Sequence, residues 1–293
     1  MDGKLVARKY RIGKKLGRGG FGTTYRGLAV DTLEPLAVKV EHATKTAKHG
    51  SYTPLQHEQS IYSVLHPCPG LPSIEWQGTV TARGQESRVL VMELLGSSLH
   101  DLPLPLPRPA LLDCARQVLR LLRHCHERGI IHRDIKPDNI MRGRGEQKGR
   151  LFLVDFGLAK QVRLPDGEHV PLTRHKKLTG TGRYCSLFTH QGLSQSYRDD
   201  LEALVYTLLY LARGRLPWQG LSGGKTHGSP PHKKDRAELY RAIGQAKAAS
   251  PPSVLCDDQP ELRWLLELAQ SLTFGQMPPY ADILARFDAA AGA

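Results

Sequence analysis

The sequence predicts an α+β chain of two lobes, a small sheet-rich lobe at the N-terminus and a larger, mainly helical lobe after it. Three observations predict this. Residues 10 to 40 are rich in glycine, β-branched residues and short alternations, the pattern of hairpins, and the sheet-rich character runs with one helix to about residue 95. A break follows at Gly96-Ser97-Ser98 and at Pro103, Pro105, Pro107 and Pro109, whose alternate spacing excludes helix and reads as an extended linker. Beyond it Leu111, Leu112, Ala115, Val118, Leu119, Leu122 and Cys125 recur at helical spacing.

The elements follow in order. Residues 10–16, 23–28 and 36–40 read as three strands, Pro54–Leu65 as a helix ending before Pro67, and residues 79–81 and 88–93 as two more strands. In the second lobe the helix that begins near Leu111 stops at Gly129. Residues 201–213 are apolar on nearly every side, as a helix buried in mid-lobe would be. Residues 262–272 and 280–287 read as amphipathic helices. One domain is expected over residues 1–293: first lobe at about 1–93, hinge at about 93–98, second lobe at about 99–290. Ligands are expected in a cleft between the lobes.

Length and composition narrow the function classes. A chain of 293 residues can bury a core without disulfide staples, and 40% hydrophobic with 24% charged residues excludes wholesale disorder and collagen-like repeats. The longest apolar stretch, 203–212, is about half of the roughly 20 residues that span a bilayer. The first 15 residues hold no signal-peptide hydrophobic block. An intracellular protein of the cytoplasm, the nucleus or both is expected, with no membrane partner. Five cysteines, odd in number and without a Cys-x-x-Cys pair, support neither a disulfide framework nor a zinc site. Forty-one Lys and Arg against 28 Asp and Glu leave a net charge of +13, which suits nucleic acid or acidic, phosphorylated protein substrates. The motifs separate the two.

Gly17-Arg18-Gly19-Gly20-Phe21-Gly22 fits Gly-x-Gly-x-x-Gly. A dinucleotide fold needs a helix after such a loop, but Thr23-Thr24-Tyr25 favours a strand. Strand, glycine loop, strand is the flap whose backbone amides cover the phosphates of ATP. Lys39, one strand further on, is placed to hold the α- and β-phosphates, and Glu58 on the following helix to pair with it. His132-Arg133-Asp134-Ile135-Lys136-Pro137-Asp138-Asn139 matches a protein-kinase catalytic loop. Asp134 is expected to accept or orient the proton of the attacking hydroxyl, Asn139 to hold a metal ion, and Lys136 to neutralise charge on the transferring phosphoryl group. Asp155-Phe156-Gly157 follows a β-rich run, and Asp155 is expected to chelate magnesium. Any one of these residues has an ordinary reading as surface charge or core. The ordered set predicts a protein-kinase fold, with ATP and Mg2+ as its cofactors.

No Ala-Pro-Glu closes the activation segment. It reads Leu178-Thr179-Gly180-Thr181-Gly182-Arg183-Tyr184-Cys185-Ser186 instead, which closely resembles the Leu-Thr-Gly-Thr-Ala-Arg-Tyr-Ala-Ser of the casein kinase 1 family. Met92-Glu93-Leu94-Leu95-Gly96, Arg198-Asp199-Asp200-Leu201-Glu202 and Leu216-Pro217-Trp218-Gln219-Gly220-Leu221 are similar to that family's strings too. The resemblance covers about residues 10–287 and implies a serine/threonine kinase that favours acidic or phosphate-primed sites. It implies Met92 as gatekeeper and the Glu93–Leu95 backbone as adenine partner. Leu16, Thr24, Ala37, Met141 and Val154 would enclose the purine, with Gly17 to Gly22 and Thr23 over the phosphates. It makes Asp200 a brace for the catalytic loop, and Arg183 and Lys225 the anion site. It also implies that Thr179 and Thr181, although possible phosphosites, need no phosphorylation for activity. Three departures stand out: Phe188 where the family has Asn, the proline-rich stretch 103–109, and a longer segment at 222–234.

Other readings stay open. A catalytically dead scaffold of the same fold would share every motif. A nucleic-acid-binding protein would explain the charge, although no RNA-recognition or zinc-finger pattern is present and aromatics are only 6%. A monomer without a specific nucleic-acid partner is expected.

Overall fold

Six strands of the N-terminal region pair into one antiparallel sheet: β1 (Leu5–Val6), β2 (Tyr10–Arg18), β3 (Gly22–Ala29), β4 (Pro35–Glu41), β5 (Ile74–Ala82) and β6 (Gln85–Glu93), in the order β1-β2-β3-β4-β6-β5. The computed structural model describes residues 3–20, 22–41, 53–82, 85–174, 177–221 and 233–292. These divide into two units, Met1–Ser97 with Met141–Leu158, and Ser98–Ile140 with Ala159–Ala293. Residues 141–158 thus belong with the N-terminal sheet, a grouping that the order of the chain does not suggest.

Alternation sorts the two faces of the sheet. Leu36, Val38 and Val40 of β4 join Tyr10, Ile12, Val89 and Val91 in a buried cluster, with Tyr25, Trp76 and Val80 packed against it. Ala37 and Lys39 take the opposite face, in register with Met92 and Leu90 of β6. On α1 (Pro54–Leu65), Pro54 fits the first turn, where its missing N–H costs nothing, and the Thr53 hydroxyl accepts from the Gln56 amide at 3.3 Å. The helix buries Leu55, Ile61, Tyr62 and Leu65. Strand β5 extends well beyond the expected 79–81, because its pairing with β6 runs on through a bulge between Ile74 and Trp76.

In the second unit, α2 (Arg108–Glu127) begins earlier than expected. Pro109 lies inside its first turn, a position proline favours, so the extended stretch ends at Pro107. The central helix is α4 (Tyr197–Arg213), buried from Tyr197 to Leu211. A capping box of Ser196 and Asp199 opens it, and Gly214, with φ +74°, closes it. Helices α2 and α7 (Pro260–Ser271) pack on α4, and α8 (Tyr280–Gly292) packs on α2. The remaining helices are α3 (Leu187–His190), α5 (Lys233–Ala248) and α6 (Pro252–Leu255). Two short ribbons complete the architecture, β7 (Ile130–Ile131) with β10 (Lys160–Gln161), and β8 (Ile140–Arg142) with β9 (Leu151–Leu153). Among the described residues no helix is long and apolar enough to cross a membrane.

Candidate active site

The first unit gathers Lys39, Glu58 and Asp155. Strand alternation turns Lys39 away from the valine cluster, and its Nζ lies 2.6 Å from Glu58 Oε2 and 2.8 Å from Asp155 Oδ1. Glu58 is 1% exposed, so its charge needs this partner. Burial would lower the Lys39 pKa, but the two carboxylates outweigh it and hold the ammonium charged, above its ordinary value. Helix α1 serves both ends of the arrangement. Tyr62, one turn after Glu58, meets the buried ring of Phe156 edge-on at 5.2 Å between centroids, which seats the residue next to Asp155. Asp155 itself has φ +65°, a backbone state rare outside glycine.

The residues expected around a purine lie in the same unit. Ala37, Met92 and Leu95 are buried, Thr23, Thr24, Met141 and Val154 are half-buried, and Leu16 is 52% exposed. In the glycine loop Gly17 pairs with Thr24 and Arg18 with Thr23, and the Gly19 amide donates to the Gly22 carbonyl at 2.9 Å. Gly20 also lies in this loop; Phe21 lies outside the described residues. The Glu93 carboxylate accepts from Gln147 Nε2 at 3.1 Å, so the side chain is engaged within the protein. Just after it, the Gly96 amide donates to the Arg142 carbonyl and the Arg142 amide to the Ser97 carbonyl, which ties the end of the strand to β8.

The second unit builds a constellation on Asp134. Oδ1 accepts from the Thr181 amide (2.9 Å) and hydroxyl (2.7 Å), and Oδ2 from Lys136 Nζ (2.7 Å) and Asn139 Nδ2 (3.3 Å). Lys136 Nζ also donates to the Thr181 hydroxyl at 3.1 Å, and Asn139 Nδ2 to the Asp134 carbonyl at 2.9 Å. The loop is held from below. Asp200 accepts from the His132 amide at 2.7 Å and the Arg133 amide at 2.9 Å. Arg133 has φ +69°, and its carbonyl lies where a side chain on Gly180, at φ +92°, would intrude. Burial pushes the Asp200 carboxyl up, but His126 and the loop amides overcome it and leave its pKa below the ordinary value. His126 Nε2 lies 3.1 Å from Asp200, and the Tyr280 hydroxyl 2.7 Å from His126 Nδ1. The His126 tautomer that donates to Asp200 therefore accepts from Tyr280.

Residues 10–267 match the family described as protein kinase domain. The chain belongs to the protein kinase family. It is a phosphotransferase fold, with ATP as substrate and Mg2+ as the usual cofactor, and its sheet-rich and helical parts agree with the α+β, two-lobed class expected.

Asp155 and Asn139 are the two residues expected to hold a metal ion. The Asp155 carboxylate and the Asn139 carboxamide oxygen are hard donors of the kind Mg2+ takes. Both Asn139 Nδ2 bonds go to Asp134, which turns the carboxamide oxygen to the other side. No group of three or more His, Cys, Asp or Glu gathers among the described residues.

The bridging role of Thr181 escaped the sequence reading. Thr181 stood out only as a phosphosite, yet its hydroxyl bridges Asp134 and Lys136. Arg133, Lys160 and Lys177 line one pocket together with Thr179 and Gln195. Burial, reinforced for Lys160 by Arg133, lowers the pKa of Lys160, and burial lowers that of Arg133 against the pull of Asp200. Arg183 is exposed and does not line that pocket; its guanidinium sits 5.9 Å from the Tyr184 ring. Lys225 lies outside the described residues. Phe188 takes the Arg198 guanidinium 3.6 Å over its ring, a cation–π contact that an Asn could not make. The six Lys and Arg from Lys160 to Arg183, against Asp166 and Glu168 alone, were the sequence signal for the pocket.

Proposed function

We propose that this kinase phosphorylates serine and threonine hydroxyls in acidic or phosphate-primed proteins, as a casein kinase 1-like enzyme. The observation that carries the catalytic part is the Asp134 constellation. A carboxylate held by the Thr181, Lys136 and Asn139 donors is fixed in place and ready to orient an alcohol. Lys136, already at hydrogen-bond distance from Asp134, offsets charge on the transferring group. Lys39, kept charged and straight by Glu58, would hold the α- and β-phosphates of ATP. Asp155 and Asn139 would each offer an oxygen to Mg2+, which would supply positive charge to the transferring phosphates when bound. Met92 would act as gatekeeper, and Leu16, Thr24, Ala37, Met141 and Val154 would enclose the adenine. Glu93 and Leu95 would contribute backbone groups to it.

The substrate preference draws support from charge. Arg133 and Lys160 repel one another in the pocket they share with Lys177, and a bound phosphate or carboxylate would relieve that repulsion. Arg183 and, by the family resemblance alone, Lys225 would add to the charge that favours an acidic acceptor peptide. The partners are then acidic or phosphorylated proteins, and no specific nucleic acid is required.

The experiment is transfer from labelled ATP with magnesium to casein, to a phosphate-primed peptide and to its unprimed twin, beside Asp134→Asn. Transfer that favours the primed peptide and drops about 10²–10⁴-fold in the variant is expected. ATP binding without transfer would identify a scaffold. Transfer indifferent to priming would remove the substrate assignment alone.

A further inference from the structure

The segment that carries Thr181 rests on buried polar groups that the chemistry above does not use. From α4, Asp199 accepts from the Ser186 hydroxyl, and Glu202 Oε1 accepts from the Leu187 amide at 2.8 Å. From α5, Lys247 donates to the Gly182 carbonyl at 3.1 Å and to the Cys185 carbonyl. Its Nζ lies 4.5 Å from the Tyr206 ring centroid and 5.1 Å from that of Trp218. The Gly182 carbonyl also takes His190 Nε2 at 3.0 Å.

A lysine at 3% exposure loses its hydration, and an ion is buried only where compensation is good. Among the described residues Lys247 has no carboxylate at ion-pair distance; two carbonyls and two aromatic faces surround it instead. Those carbonyls flank the turn just after Thr181, whose amide and hydroxyl close on Asp134. The fit between helix and segment is close. Tyr240, Ile243, Gly244 and Lys247 form one stripe of α5 at helical spacing. A Cβ on Gly182 would come within 2.6 Å of the Tyr240 ring, and one on Gly244 within 3.0 Å of His190.

We propose that Lys247 is a positioning residue for phosphoryl transfer, its ammonium fixing the Gly182 and Cys185 carbonyls so that Thr181 stays in register with Asp134. The proposal rests on the kinase role of Asp134 argued above. Burial pushes the Lys247 pKa down to about 8, against the partial pull of Cys185 and Glu202. The other titratable groups that face it are Cys185 and His190 of the segment, Asp199, Glu202 and Tyr206 of α4, and Tyr240 on its own helix. Burial holds Cys185 up at about 12 and Tyr206 well above its ordinary value, His190 down at about 4 and Asp199 up at about 7. Lys247 therefore loses its charge as pH rises through about 8.

The test compares wild type, Lys247→Met and Lys247→Arg. Three quantities are measured: transfer to a serine peptide, ATP binding, and amide hydrogen exchange over residues 178–195. Lys247→Met is expected to bind ATP as wild type does and to lose at least tenfold in peptide kcat/KM, mostly in kcat. Its amides at 181–190 exchange at least tenfold faster while those of α2 and the N-terminal sheet do not change, and Lys247→Arg recovers part of both. Wild-type kcat/KM falls above about pH 8, and Lys247→Met lacks that limb. Wild-type kcat/KM or unchanged exchange in Lys247→Met overturns the proposal. Should Lys247→Met not fold, Lys247→Gln keeps one donor without the charge and is expected to lose kcat and to exchange faster at 181–190; wild-type behaviour of Lys247→Gln overturns it. An inactive wild type removes the kinase reading instead, and the exchange measurement, which needs no activity, still decides the Lys247 contact.

Discussion

The Asp134 carboxylate takes its donors from two stretches of chain, its own loop and the turn at Thr181. The Thr181 hydroxyl both donates to Asp134 and accepts from Lys136, so it fixes the two groups relative to each other. Thr181→Ala is expected to lower kcat about tenfold, since a hydrogen bond to a charged group contributes about 1.5–3 kcal/mol. Thr181→Ser should recover most of it, and steady-state kinetics on both variants decides the point. His190 sets an acid limit on stability. Its folded pKa is lowered to about 4 by burial, with Lys247 as a further cause. Between pH 6.5 and 4 the unfolded chain therefore binds a proton that the folded one refuses. The stability contributed by neutral His190 is present above 6.5 and lost as pH falls toward 4. Thermal melts across that window are expected to show a smaller loss in His190→Gln than in wild type. Residues of the catalytic loop were legible because their chemistry is local in sequence. Thr181 and Lys247 were not, because a hydroxyl's or an ammonium's partners many residues away leave no mark in the string.

Helix α1 holds Glu58 and Tyr62 a turn apart, and so secures Lys39 and Phe156 with one rigid body. It could be read to its ends because Pro54 and Pro67 bracket it. Helix α5 could not. Gly244 and the charges around it dilute the stripe of Tyr240, Ile243 and Lys247, and a buried lysine counts as polar in any periodicity. Strand β5 was read short because Gln77 and Gly78 interrupt its alternation, which cross-strand pairing overrides. Helix α8 reaches the catalytic loop through Tyr280, His126 and Asp200. Tyr280→Phe leaves a buried imidazole nitrogen without its donor, a loss of about 1–3 kcal/mol. A lower unfolding midpoint with a reduced kcat is expected, measured on the same preparation.

Over the whole molecule the +13 charge acts through the medium as well as through contacts. Raising ionic strength from about 0.05 to 0.3 M shortens the screening length to under 10 Å. The KM for an acidic peptide is expected to rise severalfold over that range, while an uncharged-flank peptide shows little change. The family and the order of its motifs were legible, because glycine loop, lysine, catalytic loop and Asp-Phe-Gly each keep a fixed local spelling. The allocation of residues 141–158 was not, because it depends on which sheet a later segment returns to.

That return has a consequence during synthesis. The sheet strands are all made by Glu93, but Asp155, the second carboxylate on Lys39, and β8 and β9 emerge only after residues 98–140 of the other unit. At roughly 5–20 residues per second the ribosome keeps the first unit waiting several seconds for its last pieces. During that interval Lys39 has Glu58 alone, and Tyr62 lacks the ring of Phe156. A nascent chain paused near residue 100 leaves bare the part of α1 around Tyr62 that Phe156 later covers.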